Sequence, residues 1–109
     1  MQRLELAAQF IRGKMLQDEK LETPGNCRYT VEALFQQIRV QFPDLSKHYL
    51  VYRHPQTGEP LHYSLLITDC HNQKYIINSV KAALFPQYLG PEETAPFSFQ
   101  LMKPIDEII

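Results

Sequence analysis

Cys27, His62 and Asn78 are side chains whose types and order fit one kind of reaction. A cysteine thiolate attacks a carbonyl carbon, a histidine takes the thiol proton, and a third polar group holds the imidazole in the required tautomer. Cys27 stands in Pro24-Gly25-Asn26-Cys27, where a turn gives way to a helical pattern. With Asn26 as the N-cap, Cys27 is the first helical residue. There the unpaired N–H groups and the positive end of the helix dipole favour the thiolate, and the same N–H groups can stabilise an oxyanion. Asn26 is therefore a supporting candidate as well as a cap. The competing cap is Thr30, which leaves Cys27 in the loop ahead of the helix.

The elements that must position these residues are legible in outline. Leu4, Ala8, Ile11 and Met15 recur at helical spacing and predict a first helix, weakened at Gly13 and broken at Thr23-Pro24-Gly25-Asn26. A second helix is expected from about Cys27 to Gln41, with Val31, Leu34, Phe35 and Ile38 as its apolar stripe and Pro43 beyond its end. Strands are expected over Tyr49–Tyr52, Leu61–Thr68, Lys74–Ser79 and Phe97–Leu101, the last from its alternating apolar residues. Ser79 is expected to cap a short helix, Val80–Phe85, halted by Pro86. The fold class is α+β: N-terminal helices packed on a small antiparallel sheet, in one domain spanning residues 1–109.

A three-residue hairpin loop, Asp69-Cys70-His71, sets His62 directly opposite Asn78, with Cβ atoms about 4.5–5.5 Å apart. A four-residue loop changes the parity and sends the two side chains to opposite faces. The more apolar face of this strand holds Leu61, Tyr63, Leu65 and Ile67, whereas His62 shares its face with Ser64, Leu66 and Thr68. The following strand has mixed faces too. Together these patterns suggest a sheet covered on both sides, with a polar cluster near one rim.

The order of these motifs resembles the core of papain-like and transglutaminase-like cysteine enzymes, and most of all the small bacterial papain-fold toxin domains. The strings are Gly25-Asn26-Cys27 running into Arg28-Tyr29-Thr30-Val31, then His62-Tyr63-Ser64-Leu65, then Tyr75-Ile76-Ile77-Asn78-Ser79. They cover about residues 24–85. The resemblance implies a papain-like or transglutaminase-like core with Cys27 as nucleophile, His62 as proton carrier and Asn78 as orienting group. It implies glutamine deamidation, peptide cleavage or acyl transfer on a protein or peptide substrate, with no cofactor and no metal. An immunity or chaperone protein is the further partner it suggests. It points to a toxin or effector module, cytoplasmic or delivered into a target cell by a secretion system. Three features depart from the pattern: Asn78 replaces the more frequent Asp, no Trp follows Cys27, and the upstream glutamine of the oxyanion hole has no motif. Gln17 and Gln9 are the candidates for that glutamine.

Composition narrows the partners. The 109 residues carry a net charge of −1, with 44% hydrophobic and 21% charged residues. These are ordinary values for a globular chain, and no Lys/Arg cluster marks a nucleic-acid surface. No stretch reads as a secretory signal or a bilayer span. Two cysteines without a C-x-x-C pair make a structural zinc site a weak reading and a reducing compartment the default. Each sharp reading has a plain counterpart. Cys27 can be a buried hydrophobe, His62 an exposed strand-start residue, and Asn78 the residue ahead of a cap. The corresponding alternative function is a non-catalytic α+β module that binds a protein partner.

Overall fold

The computed structural model describes residues 2–23 and 25–107. Helix α1 (Arg3–Gln17) buries Leu4, Ala7, Ala8, Ile11 and Met15, which recur at three- and four-residue intervals as one helical face must. It stops earlier than the Thr23–Asn26 break predicts. Asp18 adopts an extended backbone, and its carboxylate accepts from the Lys20 N–H, opening a 3-10 turn at Glu19–Leu21. Pro24 of the expected break lies outside the described residues, while Gly25 takes the left-handed conformation (φ +89°) that suits glycine.

Helix α2 (Cys27–Gln41) has the expected bounds and closes at Phe42, next to Pro43. Its inner face is Thr30, Val31, Leu34 and Ile38. Phe35 flanks that face and stacks on Tyr49, with ring centroids 4.5 Å apart.

The sheet contains β1 (Ser46–Arg53), β2 (Pro60–Thr68), β3 (Lys74–Asn78), β4 (Tyr88–Pro91) and β5 (Lys103–Ile105). Its order is β4-β3-β2-β1-β5, with every neighbouring pair antiparallel. The connection between β2 and β3 is 69–73 rather than the expected three-residue loop. The Asp69 carboxylate accepts from the N–H groups of His71 and Gln73, and Asn72 takes a positive φ of 62°. These bonds widen the turn and slide the register by two residues, pairing Leu65 with Ile77 and Leu66 with Ile76. A two-residue slide preserves the side-chain parity.

Both faces of the sheet are covered. On one side Tyr49, Val51, Tyr63, Leu65, Ile67 and Ile77 join the inner faces of α1 and α2 in a single core. On the other, Leu50, Leu66 and Ile76 pack under Phe85, Phe99 and Met102. The segments that supply this second cover differ from expectation. Residues 80–85 form no helix: Val80 and Phe85 are both buried, yet at ~100° per residue a helix would set them about 140° apart. The chain instead makes a tight turn in which Ala82 and Phe85 exchange backbone hydrogen bonds. Phe97–Leu101 is a 3-10 helix, not a strand. Phe97 is exposed, while Phe99 and Met102 both point inward, a spacing of three that suits a helix with three residues per turn. Strands β4 and β5 were not expected from the sequence. No helix among the described residues is long and apolar enough to cross a membrane.

Candidate functional site

Strand alternation sends His62, Ser64 and Leu66 of β2 to the face opposite the helices, and Asn78 of β3 shares that face with Ile76. His62 is buried, at 3% exposure. Its Nε2 lies 2.7 Å from Asn78 Oδ1. The Asn78 amide is fixed by its own surroundings: Nδ2 donates to the carbonyls of Pro86 at 2.8 Å and Phe85 at 3.3 Å. Ser64 Oγ donates to Oδ1 at 2.8 Å. Only the oxygen of the amide therefore faces the imidazole, and an amide oxygen only accepts. Nε2 must carry the proton, which leaves the Nδ1 lone pair as the basic position of neutral His62. The Phe85 ring covers the imidazole, nearly parallel to it at 5° and 5.2 Å between centroids. Burial pushes the His62 pKa below its ordinary value, and the Asn78 hydrogen bond opposes that shift.

The slid register explains how the pair meets. His62 does not stand directly opposite Asn78, as the three-residue loop predicts. Extending the ladder one step beyond Leu65–Ile77 sets Ser64 across from Asn78, so His62 reaches the amide along the diagonal.

Cys27 lies elsewhere. It begins α2, is half-buried, and packs against the core on the helix side of the sheet. Asn26 occupies the cap position, with its carbonyl accepting from the Thr30 N–H at 2.9 Å, but its side chain makes no cap. Asn26 Nδ2 instead donates to Lys20 O at 3.4 Å. Gln17 sits exposed at the end of α1, and Gln9 is exposed on the same helix. Among the described residues, no hydrogen bond joins Cys27, Asn26 or Gln17 to His62 or Asn78. The structure thus brings His62 and Asn78 together and keeps Cys27 on the other side of the sheet.

The two groups nevertheless share one end of the fold. Gln87 Nε2 donates to Glu22 Oε1 at 2.9 Å and to Ser79 O at 3.0 Å. This ties the residue after Asn78 to the loop that leads into α2. Ser64 and Phe85 are the members of the site that motif order misses. Ser64 was detectable in principle, since it lies two residues from His62 on the same strand face. Phe85 was not, because only the folded 79–87 connection brings it over the imidazole. Among the described residues, no group of three or more His, Cys, Asp or Glu side chains is placed to hold a metal ion. Compared with family models, with curated proteins and with solved structures, the chain gives no match.

Proposed function

We propose that this protein is a cysteine-nucleophile enzyme acting on a protein carboxamide or peptide bond, with Cys27 as nucleophile, His62 as base and Asn78 as its orienting group. The observation that supports it is the clamped Asn78 amide, which holds His62 in the tautomer a thiol-activating base requires. In this chemistry Nδ1 takes the thiol proton while sulfur bonds to the carbonyl carbon. The C–N bond then breaks, the leaving ammonia or amine takes the proton from His62, and a thioester remains. Water releases an acid, giving deamidation or cleavage; an amine gives acyl transfer. Sulfur and Nδ1 must come within about 3–4 Å for the proton transfer. As the resemblance suggests, such an enzyme works as a toxin or effector held in check by an immunity or chaperone protein.

The test is thiol reactivity near neutral pH. Iodoacetamide should label Cys27 faster than a free cysteine peptide, and His62→Ala should remove the excess rate. Labelling at the peptide's rate in the intact protein would sink the proposal.

The separation of the two groups by the sheet favours a second reading, a non-catalytic module in which Cys27 packs as a small hydrophobe and His62–Asn78–Ser64 is a buried polar brace. On this reading Cys27→Ala preserves the biological effect and changes only stability. Loss of the effect in Cys27→Ser, with the fold intact, decides for the enzyme.

A further inference from the structure

The Thr30 side chain is 1% exposed, and among the described residues its hydroxyl has no hydrogen-bond partner. A buried hydroxyl without a partner costs free energy, and such groups are rare enough in folded proteins that each calls for a reason. A helical threonine ordinarily satisfies itself by donating to the carbonyl three or four residues back. Thr30 does not, although the Asn26 carbonyl stands one turn away and accepts from the Thr30 backbone N–H.

Its neighbour on the helix surface is Cys27. At ~100° per residue Thr30 lies about 60° from Cys27 around α2, and side chains three apart have Cβ atoms about 5–6 Å apart. The Cα–Cβ bonds of an α-helix tilt toward its N-terminus, so the Thr30 side chain leans toward the turn that holds Cys27. Both lie on the inner side of α2, with Val31 and Leu34. The unpartnered group is a donor, it is shut off from water, and it lies one helical turn from the Cys27 sulfur.

We propose that Thr30 is the supporting donor of the Cys27 thiolate: when the thiol loses its proton, the Thr30 hydroxyl turns about χ1 and donates to Sγ. This inference rests on the enzyme reading above and deepens it. A neutral thiol is a weak acceptor, whereas a thiolate is a charged one and draws a donor toward it. Thr30 thus acts through Cys27 as a positioning residue and touches no substrate atom.

The experiment compares the iodoacetamide rate of Cys27 at pH 7 in the unmodified protein, Thr30→Val and Thr30→Ser, with urea denaturation of each. Valine keeps the shape and removes the donor; serine keeps the donor. The expected result is labelling about tenfold slower in Thr30→Val, a rate within about twofold of the original in Thr30→Ser, and no loss of stability in Thr30→Val, since the deleted hydroxyl had no partner. Fast labelling in the unmodified protein with an equal rate in Thr30→Val overturns the role of Thr30 and leaves the enzyme reading standing. Slow labelling in the unmodified protein overturns both.

Discussion

Asn78 Oδ1 accepts two hydrogen bonds at once, from Ser64 Oγ at 2.8 Å and from His62 Nε2 at 2.7 Å, in a site where Ser64 is wholly buried. Its amide nitrogen is spent on two backbone carbonyls of the segment that lays Phe85 over the imidazole. One side chain therefore joins β2, β3 and the 79–87 connection. Removing it leaves several buried groups without partners.

Asn78→Ala is expected to destabilise the protein by about 1–3 kcal/mol, and Ser64→Ala by about 1 kcal/mol. The double variant should lose less than the two single losses combined, because both delete the same bond. Urea denaturation of the three variants measures this. Strictly additive losses would show that Ser64 and Asn78 are not one network.

Phe85→Ala removes a ring that is 1% exposed and packs against His62, Tyr52 and Phe99. The expected cost is about 3–5 kcal/mol. The variant should also uncover the imidazole and return the His62 titration toward its ordinary value. An NMR titration of the His62 ring checks the second outcome; a midpoint that does not move contradicts burial by Phe85 as the cause.

His62 titrates below the histidine reference of 6.5 because burial disfavours the imidazolium. The unfolded chain thus binds a proton at a higher pH than the folded one. His62 contributes stability that is fully present above pH 6.5 and is lost as pH falls toward the lower folded value. Asn78→Asp places a carboxylate against Nε2 and should raise the His62 pKa. If the Asp variant keeps the original midpoint, the Nε2–Asn78 contact does not exist in solution.

Tyr75 Oη donates to Glu5 Oε2 at 2.7 Å, linking β3 to α1, and this bond is the chief cause that pushes the Tyr75 pKa from 10.0 up to about 12. The folded value is raised, so this stabilising contribution is complete below pH 10 and disappears as pH rises toward about 12. Tyr75→Phe should flatten the alkaline decline of stability between these limits. An unchanged decline in that variant assigns it to another group.

Helix α2 was legible because its apolar positions return to one face and because Pro43 follows its end. Strands β2 and β3 were legible from their β-branched and aromatic residues. The parity that places His62, Ser64 and Asn78 on one face was left open by the sequence, since an odd loop length preserves it and an even one reverses it; the five-residue connection decided it. The register itself was not legible: Asp69 accepts from two N–H groups of its own turn and widens it from three residues to five. The paths of 80–85 and 97–101 escaped sequence patterns for a related reason. Each short segment is shaped by the surface it covers, and its own periodicity is too brief to outweigh the burial of Phe85, Phe99 and Met102.

By itself the sequence determined the elements that hold the candidate residues: a cysteine at a helix start, a histidine near a strand start, and an amide at the end of the next strand. Local propensity and periodicity act over a few residues, and those features need no more. Only the tertiary structure decided which side of the sheet each group occupies. Side chains alternate along β2, and the more apolar set, Tyr63, Leu65 and Ile67, goes under the helices because they bury the larger core. That choice turns His62 toward Phe85 and away from Cys27, a consequence of packing across the whole fold.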